Sequence, residues 1–189
     1  MEIKKTKLAD DIWEGIKSLV PIIIIVLFIR TFIAQPFIVS GESMYPTFQN
    51  KNYLIVDELS YRFSEPKRGD VVVIKYPLDT KRFFIKRLIG LPGDIVSFRD
   101  GKVYITEPGK EIEQLKEPYY YGVTIPGEKT TITLGDKEYF VMGDNRNFSS
   151  DSRIWGVLPE KDLVGRAFIR LLPISQIDIM PGNINSFNK

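Results

Sequence analysis

Three stretches of this chain hold residues whose types and spacing could do chemistry. The first is Ser40-Gly41-Glu42-Ser43-Met44-Tyr45-Pro46-Thr47-Phe48, a serine set among turn-forming residues. The second is Phe83-Phe84-Ile85-Lys86-Arg87-Leu88-Ile89, two basic residues inside an apolar run. The third is Gly143-Asp144-Asn145-Arg146-Asn147-Phe148-Ser149-Ser150-Asp151-Ser152-Arg153-Ile154-Trp155-Gly156, dense in acidic, basic and hydroxyl groups. The chain contains no histidine and no cysteine. A Ser-His-Asp triad, a histidine-based zinc protease, a cysteine nucleophile and a thiolate metal site are therefore excluded. If Ser43 is a nucleophile, its proton must go to Lys, Asp, Glu or the N-terminal amine.

On a strand, alternate side chains share a face. Lys86 then lies with Phe84 and Leu88, and Arg87 with Phe83, Ile85 and Ile89. Both basic residues have apolar neighbours, so periodicity does not choose between them. Arginine effectively never deprotonates. A desolvated lysine can, because burial disfavours its charged form, and neutral lysine can then accept a serine proton. The competing readings are ordinary: a loop serine, a lysine that buries its stem and keeps its head in water, and a solvated polar loop. The tripeptide Arg68-Gly69-Asp70 spells an adhesion motif, but three residues before a strand are explained as a turn.

These stretches must be positioned by something. Residues 1–18 are polar and carry Lys4, Lys5, Lys7 and Lys17; Leu19 to Ile29 is uncharged, Arg30 interrupts, and Thr31 to Val39 is mostly apolar. Residues 19–39 approach the length a helix needs to cross a bilayer. A buried core helix fits poorly, since the run Ile22 to Ile25 has no polar stripe. A cleaved leader fits poorly too, since a cut after Ala34 puts bulky Phe32 where a small residue is wanted. The expectation is an uncleaved anchor at 19–39, with residues 1–18 cytoplasmic, because lysines precede it. Residues 40–189 then form one extracytoplasmic domain.

That domain reads as short strands and turns. Strands are expected at Tyr53 to Val56, Val71 to Tyr76, Arg82 to Ile89, Thr130 to Leu134, Tyr139 to Met142 and Leu163 to Leu172. Ile95 to Phe98 and Val103 to Thr106 flank Asp100-Gly101, a hairpin signal. Residues 107–129 read as a loop or small insertion. No repeat and no βαβ alternation occurs, which points to a mostly β, antiparallel domain behind an anchor. The net charge of +2, with no basic block interleaved with aromatics, argues against nucleic acid as a partner.

With these residues in hand, the chain resembles the bacterial type I signal peptidases. The resemblance rests on four motifs in order: Ser-Met-x-Pro-Thr at Ser43 to Thr47, Arg-Gly-Asp-Val-Val at Arg68 to Val72, Lys-Arg-x-x-Gly-x-Pro-Gly-Asp at Lys86 to Asp94, and Gly-Asp-Asn-Arg at Gly143 followed by Ser-x-Asp-Ser-Arg-x-Trp-Gly from Ser149. It implies a serine endopeptidase that removes signal peptides from exported preproteins, cutting after small residues, next to a lipid bilayer and without metal or cofactor. It assigns Ser43 as nucleophile and Lys86 as general base. Ser149 is implied to orient the lysine, and Asp144, Asp151 and Arg153 to form a supporting network. Small-residue pockets would draw on Phe37, Val39, Met44, Phe48, Phe84 and Ile85. The implied core is SH3-like or barrel-like, with an insertion at about 97–137.

The chain departs from the family pattern at two places. Gly41 stands where many Gram-negative members carry a hydroxyl that helps hold the oxyanion, so the Ser43 backbone N–H carries more of that task, with Ser40 or water as its complement. Asn147-Phe148 replaces the commoner Asp-Asn pair. The single anchor and short insertion resemble Gram-positive members. Two other readings of the residues are a self-cleaving repressor-type Ser/Lys protease, which would want a DNA-binding domain, and a membrane-tethered β module without activity.

Overall fold

The computed structural model describes residues 3–32, 34–120 and 123–183. Helix α1 runs Ile3–Phe32 and is followed at once by strand β1, Ala34–Ile38. The expected 19–39 segment is therefore not one helix. Pro36 explains the break: proline disfavours helical backbone in the residue before it, and Ala34–Ile38 instead pairs antiparallel with β2, Tyr53–Asp57. Among the described residues, no helix is long and apolar enough to cross a membrane. The apolar side chains from Leu19 to Val26 are nonetheless exposed, with no protein packed over them. Where the Arg30 side chain points lies outside the described residues.

The remaining strands are β3 (Val71–Tyr76), β4 (Asp79–Gly90), β5 (Ile95–Arg99), β6 (Lys102–Thr106), β7 (Ile112–Gln114), β8 (Thr131–Thr133), β9 (Glu138–Met142), β10 (Leu158–Pro159), β11 (Leu163–Leu172) and β12 (Asp178–Ile179). A short helix, α2, spans Ser152–Trp155. All the strand pairings are antiparallel. The large sheet follows the order β1-β2-β11-β3-β4-β9-β10, with β12 on β11, and does not close on itself among the described residues. A second sheet, β7-β6-β5-β8, is built from 95–133, over much of the stretch expected as an insertion at about 97–137. Its central hairpin turns at Asp100-Gly101, where both residues take positive φ (49° and 72°), the geometry of a tight two-residue turn.

β3 is buried along Val71-Val72-Val73-Ile74, a continuous apolar run rather than an alternating one. The reason is that it has cover on both faces. Val71 packs with Val39, Met44, Phe48, Leu54 and Ala167. Val72 and Ile74 pack with Leu88, Tyr139, Val141 and Leu158, and Phe84 lies against them. A third cluster, including Ile89, Phe140 and Met142 from the large sheet and Val96, Phe98 and Val103 from the small one, joins the two sheets. β4 is thus held at its centre by layers on both sides, and Lys86 and Arg87 sit on the part that is held.

The adhesion-like tripeptide is used internally. Arg68 donates to Asp94 (2.7 Å) and to the Ile89 carbonyl, and Asp70 accepts from the Tyr61 hydroxyl and the Lys67 N–H.

Candidate active site

Ser43 lies in the turn after β1, and Lys86 lies on β4 opposite Val72. The fold brings these two side chains together: Lys86 Nζ is 2.8 Å from Ser43 Oγ. Lys86 is 3% exposed, its Nζ also donates to the Ile85 carbonyl, and the Phe84 ring centroid lies 5.2 Å away. Among the described residues, no carboxylate is ion-paired with it. Burial pushes its pKa from the ordinary 10.5 down to about 8. Asp151 and Asp144 pull the other way, and Arg153 adds to the depression. Desolvation wins because each carboxylate already has its own guanidinium.

Those pairings build the polar loop. Asp144 takes Arg87 in a two-point grip, Nε at 2.8 Å and Nη2 at 2.7 Å, and also accepts from the Thr47 hydroxyl at 2.5 Å. Arg87 is fully buried and donates through Nη1 to the Gly69 and Gly182 carbonyls. Asp151 is likewise gripped by Arg153 Nε and Nη2, accepts the Gly143 N–H, and caps α2 by accepting the Arg153 N–H. Adjacent basic residues in one strand therefore take opposite parts. Arg87 stays charged and anchors the loop, while Lys86 is stripped of partners that would hold its proton.

The loop is sewn to the Ser43 turn through main-chain groups. Asn145 N–H donates to the Ser43 carbonyl (3.0 Å) and its side-chain amide to the Glu42 carbonyl (3.1 Å). Gly143 passes so close that a Cβ there would overlap both the Ser43 carbonyl and the Ser149 side chain. Only glycine permits that approach.

Ser149 is buried beside Gly143, but its Oγ makes no hydrogen bond and so does not orient Lys86 in this structure. Gly41 has φ +94°, a backbone that strains any other residue, and donates its N–H to the Asn50 side chain. A cleft of about 100 Å³ opens beside Ser43 and Lys86. Phe37, Val39, Phe84 and Ile85, four of the residues that the resemblance implies for the substrate pockets, line it together with Ile38 and Leu54. Met44 and Phe48 do not. They are 1% and 0% exposed in the core cluster with Val71, because the turn folds its apolar side chains inward beneath the serine.

Sequence reasoning passed over Arg87 as an anchor. Thr47, Gly143, Asn145 and Arg146 stood inside the motifs and the polar stretch singled out above but carried no individual role, because the groups they meet come largely from far along the chain. Gly143, a glycine ending an apolar strand, carried a signal of close approach.

A family model described as signal peptidase, peptidase S26, matches residues 12–172. The chain is 38% identical over 184 residues to a probable signal peptidase I-2 of Synechocystis sp., covering 94% of this chain and 81% of that one. It is 35% identical over 184 residues to a signal peptidase I of Bacillus licheniformis, covering 93% and 97%. A crystal structure of a signal peptidase I from Enterococcus faecalis V583 aligns with TM-score 0.45 at 29% identity, over 55% of this chain and 97% of the other.

Proposed function

The chain belongs to the signal peptidase family, peptidase S26, and we propose that it cuts signal peptides from exported preproteins with Ser43 as nucleophile and Lys86 as general base. The observation that carries this reading is the 2.8 Å approach of a buried, unpaired lysine to a serine hydroxyl.

Neutral Lys86 accepts the Ser43 proton as Oγ attacks the scissile carbonyl. It then gives that proton to the leaving amine, and afterwards takes one from the water that releases the acyl-enzyme. Main-chain donors in the Gly41–Ser43 turn, the Ser43 N–H first among them, hold the oxyanion. Fixed donors of this kind are worth about 3 kcal/mol each. Ser149 Oγ, buried with no partner, is free to accept from Lys86 as it protonates and so to steady it during turnover.

The substrate enters as an extended strand. Among the described residues, β1 is paired only on its β2 side, and the first half of β4 only on its β3 side. Phe37 on β1 and Phe83 on β4 stand 5.4 Å apart at the cleft. A peptide laid there takes backbone hydrogen bonds from a free strand edge and puts alternate side chains into the cleft. So small a space suits alanine-sized residues at the first and third positions before the cut.

The uncovered apolar surface of α1 supports attachment to the bilayer as a single anchor. The lysines before it favour a cytoplasmic N-terminus and an extracytoplasmic catalytic domain. Resistance of the protein to alkaline extraction from membranes, and its release on deletion of 1–32, test this part.

The central test is incubation of the full chain with a preprotein and mapping of the cut. Cleavage after a small residue, abolished by Ser43→Ala and by Lys86→Met, is expected. Undiminished cleavage by Lys86→Met would falsify the mechanism. No cleavage of any preprotein by the wild type would favour a non-enzymatic tethered module.

A further inference from the structure

The inserted sheet sends a strap back over the catalytic loop. Its described parts are 117–120 and 123–127. Three buried or largely buried arginines of the site each reach a strap residue on one side and the catalytic loop on the other.

Arg87 grips Asp144, and its guanidinium lies 3.8 Å from the centre of the Tyr119 ring. Arg146 donates through Nε to the Gly143 carbonyl, and on the strap it is ion-paired to Glu117, hydrogen-bonded to Thr124 and stacked 4.8 Å from the Tyr120 ring. Arg153 grips Asp151 and donates to the Arg146 carbonyl, and on the strap it reaches the Ile125 carbonyl at 3.3 Å. Gly127 completes the contact: a Cβ there would overlap the Arg153 carbonyl. Tyr119 and Thr124 are 2% and 1% exposed, so the strap is packed in rather than draped over.

The loop atoms held in this way are the ones the reaction depends on. Gly143 abuts the Ser43 carbonyl, while the charges acting on Lys86 are Asp151, Asp144 and Arg153. We infer that the strap is a positioning element of the Ser43/Lys86 site, and that Glu117, through Arg146, fixes the height of the catalytic loop against the nucleophile turn. The inference rests on the Ser/Lys reading above. It gives the inserted sheet a task in catalysis, although none of its residues touches the reacting atoms or the cleft.

The physical consequence has a definite sign. A loosened strap lets Arg153 drift from Asp151 and lets water reach Lys86. Both changes favour the protonated lysine, so the acid limb of the pH–rate profile moves to higher pH. The cleft is lined by residues of β1, β2, β3, β4 and the nucleophile turn and by no described strap residue, and the strap meets β4 through Arg87, which does not line the cleft, so KM stays constant.

The test uses Glu117→Gln, which removes the ion pair but keeps the shape, and Gly127→Ala, which disturbs the other limb without changing charge. Each is assayed in the full chain on a peptide substrate across pH 6 to 10, alongside a thermal melt. Expected is a kcat at neutral pH reduced about tenfold or more, KM unchanged, and an acid limb displaced upward in both variants. Glu117→Asp should restore part of the rate. A folded Glu117→Gln with wild-type kcat and wild-type pH profile overturns the inference, as does a loss confined to KM. Lys86→Met in the same assay separates the two levels. If it is active, the Ser/Lys reading has failed; if it is inactive while Glu117→Gln is normal, only the strap's role has failed.

Discussion

Replacing Lys86 by methionine should destroy activity and make the protein more stable at neutral pH. The folded state holds this lysine at a pKa of about 8 against 10.5 in the open chain. Below pH 8 both states bind the proton, and the folded state bears the full cost of a charge that burial disfavours. From 10.5 to about 8, that cost is about 3 kcal/mol. Methionine has a similar length and no charge. It forfeits the hydrogen bond to Ser43 Oγ, worth about 1 kcal/mol. The net gain at pH 7 is about 2 kcal/mol, which corresponds to roughly 4–8 °C in Tm for a chain of this size. The sign depends on pH. As pH rises from 8 to 10.5 the folded lysine sheds its proton before the unfolded one does, so the wild type recovers stability. Above 10.5 the methionine variant has only the lost hydrogen bond to show. The assay is a pair of thermal melts of detergent-solubilised protein, at pH 7 and at pH 11. A Lys86→Met protein that is less stable than wild type at pH 7, or a difference that does not change with pH, would refute the desolvation argument. The lysine would then be charged and supported in the folded state, unable to act as a base.

Three further outcomes follow from the same geometry. The wild-type kcat/KM should climb with pH and level off above about 8, the pKa of Lys86, whereas an ordinary lysine would give a rise that continues past pH 10. Gly143→Ala should fold but lose roughly a hundredfold in kcat, since the added methyl must displace the Ser43 carbonyl, and near-normal turnover would mean the loop does not set the nucleophile. Met44→Ala should cost about 2–5 kcal/mol of stability with KM unchanged, and Phe84→Ala should raise KM, because the first residue is core and the second lines the cleft. The opposite pattern would return Met44 to the substrate pocket.

The sequence made the strands of the catalytic domain legible where a local rule governed them. The Asp100-Gly101 turn forces its hairpin, and β3 and β11 were found at Val71–Tyr76 and Leu163–Leu172 by their apolar, β-branched runs. β1 was read as the end of the apolar segment, since a short apolar run has no period of its own, and only Pro36 hinted at the break. Ser43 and Lys86 were candidates by chemistry, a serine with no histidine to serve it and a lysine among apolar residues, and the resemblance assigned their roles. Met44 and Phe48 were placed in the pocket by the resemblance. Proximity in sequence does not say which way a turn folds its side chains, and here they point into the core. The long-range contacts of the arginines that brace the loop gave no local sign, because those partners lie at Gly69, Glu117, Tyr119, Ile125 and Gly182.

Lys86 and Arg87 are neighbours with equal burial and unequal electrostatics, and the difference between them is what the site is built to maintain. A buried guanidinium cannot shed its proton, so the fold must bring it a carboxylate and carbonyls, and Asp144, Gly69 and Gly182 answer that demand. A buried lysine has a second option, which is to become neutral. It takes that option only if nearby carboxylates are occupied. Asp144 and Asp151 both act on Lys86 in the direction of keeping it charged, and both are held in two-point grips by Arg87 and Arg153. In the proposed mechanism the arginines thus do for Lys86 what a histidine's modest pKa does in Ser-His-Asp proteases: they leave a proton acceptor near neutral pH. Removing either arginine frees a carboxylate that acts on Lys86 and returns the lysine toward its ordinary, protonated state. A chain with no histidine therefore needs its polar loop as much as it needs its serine.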